Sequence, residues 1–148
     1  MTDKFSMIIP LFKVDIARHE VWGIGADETP DQSGEIFDYA ESKPYIMAWS
    51  EKMQKASGGK SKGNIRGQHG SVAAGRVIDL QLDDKMKRVI IGAEIVDTAE
   101  WEKVEKGVYT GFSIGGHYAK RWNDDAGRKR YAGAPAEWSL VDYPNNPN

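Results

Sequence analysis

The chain has no cysteine at all. That removes disulfides, thiol nucleophiles and cysteine-based zinc sites in one step, and it fits a reducing compartment. Histidine is also scarce: only His19, His69 and His117 are present. None lies at metal-ligand spacing from another, and "DQSGE" lacks the full calcium-loop pattern, so no metal and no cofactor is expected. No run of ~18 apolar residues exists, so no transmembrane helix and no membrane partner is expected. An excess of positive charge is missing too. The net charge is −2, which argues against a strongly basic nucleic-acid-binding surface.

What is present suits a globular protein: 148 residues, 40% hydrophobic and 28% charged, enough for one domain with one core. Glycine and β-branched residues dominate and helical signals are few. "MIIPLFKVD" reads as extended, with Pro10 at an edge or bend. "EVWGIGA" (20–26) reads as a strand and "DETPDQSGE" (27–35) as a loop. A first helix is expected from an N-cap at Ser42, with Pro44 near its first turn, to stop signals at Gly58 and Gly59. "SGGKSKGNIRG" reads as a flexible basic loop. "SVAAGRVIDLQL" and "MKRVIIGAEIV" flank "DDK" as a hairpin, with Val89, Ile91, Ala93 and Ile95 on one face by period two. Asp97 and Glu100 open a second helix that Gly107 closes. "VYTGFSIGGHYAKRW", the turn "NDDAGRK" and "RYAGAPAEWSLVDY" complete a mostly β, α+β chain. The end, "VDYPNNPN", reads as irregular.

Chemistry concentrates in "GVYTGFSIGG" (107–116), where one serine sits among four glycines. Residues 111–115 match the nucleophile-elbow pattern G-x-S-x-G, but that fold orders its triad serine, acid, histidine. Here only His117 follows Ser113, and four residues along a strand span ~13 Å, too far for a hydrogen bond. A catalytic serine needs a base. His19 falls in a surface turn and His117 shares the strand, which leaves His69 in "GNIRGQHGSVAAG". Its bland reading is a polar surface histidine beside a turn, and the residues alone leave both readings open. The base also needs an acceptor on its far nitrogen. Glu137 in "APAEWSLVDYP" stands out among apolar neighbours, with Asp142 in reserve, although an outward-facing glutamate on a strand is the commoner case. "GGKS" (58–61) lacks the first glycine of a phosphate-binding loop and follows a helix, so it reads as solvated loop. Lys52, Lys55, Lys60, Lys62 and Arg66 form a basic run of the kind that is usually just solvated.

Taken in order, "KVDIARHEVWGIG" with "PDQSGEI", "GNIRGQH" with "VAAGRVI", "GVYTGFSIGG" and "EWSLVDYPNNP" resemble the tailed-phage prohead (capsid-maturation) serine proteases. The resemblance covers about residues 10 to 147. It implies a small closed or partly closed β-barrel with a few surrounding helices, like the herpesvirus assembly proteases. It implies a single protease domain over 1–148, with a scaffold-like region expected after it. It also implies a catalytic triad of Ser113, His69 and Glu137. The family commonly has methionine before the histidine where this chain has Gln68, a change expected to touch packing more than chemistry. Arg66, Gly115 and Gly116 are candidates to shape the oxyanion hole or the substrate cleft. The expected substrates are the phage major capsid protein, the scaffolding protein and the protease itself. The expected place is the host cytoplasm, inside the procapsid; self-association is expected, with weak intrinsic activity or dependence on oligomerisation restraining the enzyme until assembly. The competing expectation is a catalytically inactive capsid-assembly or scaffold-binding domain.

Overall fold

The computed structural model describes the backbone of residues 4–142 and the side chains of residues 11–142. The irregular reading of the last six residues lies outside that range. Among the described residues, eight strands and two helices follow one another as β1 (Lys4–Asp15), β2 (Glu20–Ala26), β3 (Glu35–Phe37), α1 (Tyr39–Ala56), β4 (Asn64–Gly67), β5 (Ala73–Asp83), β6 (Arg88–Ile95), α2 (Thr98–Glu105), β7 (Gly111–Asn123) and β8 (Lys129–Val141). The fold is mostly β, as the composition implies.

All eight strands join one sheet in the order β3-β8-β4-β5-β6-β2-β1-β7, and β7 pairs again with β8. The line of pairings therefore returns on itself and the sheet curls into a barrel-like form. Strand β8 makes this work by its length. One edge pairs with β7 along its whole span, while the other carries β3 near its start and β4 near its end. Pro10 falls where β1 passes from its β7 ladder to its β2 ladder, a point at which a missing N–H costs little.

The interior is filled by period-two faces. Val89, Ile91, Ala93 and Ile95 of β6 are all buried, as their alternation predicts. Phe112 and Ile114 of β7 and Trp138 and Leu140 of β8 join the same core, and the Trp138 indole N–H donates to Gly25 O across the interior at 3.1 Å. Helix α1 packs onto β8, with Trp49 edge-on to Trp138. Neither helix is long and apolar enough to cross a membrane.

Where the chemistry is local, the helix ends follow the sequence signals. Asp97 caps α2 by accepting from Glu100 N at 3.1 Å. Gly107, at φ +76, ends it with the paired bonds Gly107 N to Val104 O and Val108 N to Lys103 O, a Schellman closure. Two expectations need correction. Helix α1 is capped by Asp38, whose carboxylate accepts from Glu41 N at 3.0 Å, and not by Ser42. Ser42 lies one turn inside, fully buried, and takes the amide of Gly133 in β8, which leaves Pro44 in the second turn. The "NIRG" of the supposed loop is strand β4, held by β5 on one side and β8 on the other. Tertiary pairing, not its own four residues, makes it a strand.

Candidate active site

The site is built on the outer face of three adjacent strands. Because Phe112, Ile114, Trp138 and Leu140 point inward, Ser113, Glu137 and Ser139 point outward. The register sets Ser113 of β7 directly opposite Ser139 of β8, and Ser139 opposite Arg66 of β4. Gly115 is opposite Glu137, one pleat along the same face.

His69 reaches this face from a tight turn after β4. Gly70 N donates to Gly67 O at 2.8 Å, and the two central residues, Gln68 and His69, have φ of +52° and +56°. Such a turn favours Asn and Gly; each L side chain held there costs on the order of 1–2 kcal/mol. Strain of this kind persists only when neighbours over-determine it. Here they do. Gln68 N donates to Leu140 O at 2.8 Å, and His69 N donates to Ser139 Oγ at 3.1 Å. The Gln68 amide donates to Asp142 Oδ1 at 2.6 Å and accepts from Asp142 N at 3.1 Å. Beneath the turn, Gly67 lies against Glu100 and the Tyr109 hydroxyl, so any side chain there would collide. The Tyr109 hydroxyl donates to Glu100 at 2.9 Å; burial first, and that carboxylate second, hold the phenol protonated well above its usual range.

The turn delivers the imidazole between the other two groups. His69 Nε2 lies 2.7 Å from Ser113 Oγ, while Nδ1 meets Glu137 Oε1 in a short hydrogen bond. A carboxylate only accepts, so Nδ1 carries the proton and Nε2 presents its lone pair to the serine O–H. The second carboxylate oxygen, Oε2, accepts from Ser139 Oγ at 2.7 Å. Glu137 is 7% exposed and Ser113 and Ser139 are 0% exposed, whereas the His69 side chain is 31% exposed. The imidazole is thus the open member of an otherwise covered set.

The three residues expected to act together, Ser113, His69 and Glu137, are brought into hydrogen-bonding contact from separate strands and a turn. Asp142, the reserve acid, does not reach His69; it grips Gln68. That also corrects the reading of Gln68 as a packing residue, since both ends of its amide are used. Gly115 leaves the space that the His69–Glu137 pair occupies, and Gly116 leaves room for the β8 backbone at Ala134 and Pro135 beside a bulge. Both glycines thus have steric reasons for being small. Arg66 is exposed on β4, in the row of Ser139 and Ser113. Ser113 lies within the long strand β7, not at a strand-to-helix elbow. His117 is exposed, and His19 stacks on Trp101 at 4.4 Å. Ser139 was not singled out from the sequence, yet it stands two residues after Glu137 on a strand, and period two alone puts both on one face.

Comparison with protein-family models, with curated proteins and with solved structures finds no match for this chain.

Proposed function

We propose that this chain is a serine endopeptidase of the prohead-protease kind, with a herpesvirus-protease-like barrel, in which Ser113 is the nucleophile, His69 the general base and Glu137 the orienting acid. The observation that carries the reading is the placing of one imidazole between a serine hydroxyl at 2.7 Å and a buried carboxylate.

The chemistry runs as follows. Ser113 Oγ attacks the peptide carbonyl carbon as its proton passes to His69 Nε2, a transfer worth typically ~10²–10⁴-fold. The imidazolium so formed is held by Glu137, which stays ionised. His69 then returns the proton to the leaving amine nitrogen as the C–N bond breaks, leaving an acyl-serine. Water, deprotonated by the same nitrogen, releases the acid and restores Ser113. Arg66, exposed in the same cross-strand row, is about 10 Å from Ser113 by two strand spacings and is the candidate to contact a peptide laid across the row.

The burial of Ser113 bears on regulation. With no exposed surface, its hydroxyl meets a peptide only after its surroundings rearrange. That suits an enzyme restrained until capsid and scaffolding proteins assemble around it inside the host cell. The same burial favours the second reading, a catalytically inactive capsid-assembly domain in which the three side chains serve as a polar clasp.

The test is hydrolysis of an unstructured peptide library, followed by mass spectrometry, with the chain alone and mixed with capsid and scaffolding proteins. The protease reading predicts cleavage that Ser113→Ala abolishes. No cleavage by the unaltered chain under either condition, with binding to scaffold retained, supports the assembly-domain reading instead.

A further inference from the structure

We propose that Ser139 is a positioning residue of this site: its hydroxyl locks the turn that bears His69 to the strand that bears Glu137, and selects which carboxylate oxygen faces the imidazole. This rests on the reading of Ser113 as the nucleophile.

A serine hydroxyl has one proton to give and two lone pairs to accept with. In Ser139, which is wholly buried, one lone pair is taken by the His69 backbone N–H at 3.1 Å. The proton goes to Glu137 Oε2 at 2.7 Å. Oε1 is thereby left to His69 Nδ1–H. The four groups close a ring that runs from the His69 amide through Ser139 and Glu137 to the His69 side chain. The ring fixes two torsions that the catalytic contacts alone do not. One is the rotation of the Glu137 carboxyl group. The other is the left-handed backbone at His69, whose φ of +56° needs a partner to hold it. Gln68 and Asp142 clamp the preceding residue from outside, so Ser139 is the inner clamp of the same turn.

The bland account is a buried serine that only satisfies a loop amide. It predicts that losing the hydroxyl costs stability and nothing else. The positioning account predicts a change at the imidazole itself. Two variants separate them, Ser139→Thr and Ser139→Val. They have nearly the same shape, and both suit a strand, but only threonine keeps the hydroxyl.

The primary measurement is the proton NMR signal of His69 Nδ1–H, made in a Ser113→Ala background so that it does not depend on turnover. The positioning account expects a resolved downfield Nδ1–H line in Ser113→Ala, retained with Ser139→Thr and shifted upfield or broadened away with Ser139→Val. With Ser113 intact, Ser139→Val is expected to lower kcat ~10–100-fold, the loss of about one hydrogen bond to a charged group, with KM little changed. An unchanged Nδ1–H line in the folded Ser139→Val protein would overturn the proposal. If the unaltered chain cleaves no peptide, the protease reading fails, while the spectra still decide whether Ser139 orients the pair.

Discussion

Two of the polar clusters on this curled sheet differ in kind, and the one with fewer charges is the one we propose to be catalytic. The larger surrounds Arg130, whose side chain is 14% exposed. Its guanidinium meets Asp38 at 2.8 Å, Glu28 at 3.1 Å and Asp124 at 3.7 Å. Nearby, Arg121 pairs with Glu35 at 3.1 Å, and the Tyr118 hydroxyl donates to the same carboxylate. These contacts join the cap of α1, the loop before β3 and the β7–β8 turn. The cluster's centre is a guanidinium, which does not deprotonate near neutral pH and so holds these carboxylates without exchanging a proton with them. The site on the outer face of β4, β7 and β8 has one carboxylate, one imidazole and two hydroxyls. Its central group can pass a proton, since an imidazole has two ring nitrogens and here one faces a carboxylate acceptor and the other a hydroxyl. What separates a brace from a proton relay is the group in the middle, not the number of charges.

The comparison predicts that the two regions fail in different ways. Ser113→Ala is expected to give the largest effect, a loss of at least about 10⁴-fold in peptide hydrolysis, with the denaturation midpoint nearly unmoved. Glu137→Gln comes next. The carboxamide can donate to Nδ1 and so favour the wrong tautomer, for about 10³–10⁴-fold in kcat, read from steady-state kinetics. Arg130→Met reverses the pattern. It leaves Asp38 and Glu28 without this cation, Asp124 keeping Arg128 at 3.0 Å, at a cost of about 3 kcal/mol in urea unfolding, while hydrolysis per folded molecule stays the same. If Arg130→Met abolished catalysis in folded protein, or Ser113→Ala unfolded the chain, the division would be wrong.

Alkali should loosen both regions together. Burial is the first cause that raises the phenols of Tyr109 beside the site, Tyr118 beside Arg121, and Tyr131 in the core; Glu100 and Glu35 add to it for the first two. A folded pKa above the unfolded value of about 10 means that the stabilisation is intact below pH 10 and is lost as pH rises further. Phenolate absorbance for these tyrosines is therefore expected to appear only with unfolding, followed in parallel by tryptophan fluorescence. The smallest effect is expected from Asp142→Asn. It holds the His69 turn through Gln68 and does not touch the imidazole, so kcat should fall only a few-fold. A large loss from Asp142→Asn together with a small one from Glu137→Gln would mean that Asp142, not Glu137, is the working acid.

Much of this architecture is legible in the sequence where a few neighbouring residues decide the outcome. The β5–β6 hairpin follows from two alternating runs around a polar turn, and α2 from Asp97, Glu100 and Gly107. The start of α1 shows a competition between two local signals. Ser42 before Pro44 looks like a cap, but Asp38 with Glu41 is the pair that caps, and Ser42 turns inward to serve Gly133. Strand β4 and the short β3 are not legible, because β8, some 70 to 90 residues away, pairs with β3 and supplies one of the two partners of β4, the other being β5. For the site, the scarcity of histidine pointed to His69, while its route to Ser113 depends on two consecutive left-handed residues that nothing in "GQHG" announces. Ser139 was missed although its spacing from Glu137 was in plain view, since a buried serine on a strand carries meaning only once its partners are known.

The most direct test is the reactivity of Ser113 toward diisopropyl fluorophosphate, read by intact and peptide mass spectrometry, with the chain alone and mixed with capsid and scaffolding proteins. The account predicts a single phosphorylated serine, Ser113, and no adduct when His69→Ala removes the base. A native protein that leaves Ser113 unmodified under both conditions, or that labels it equally well without His69, would contradict it.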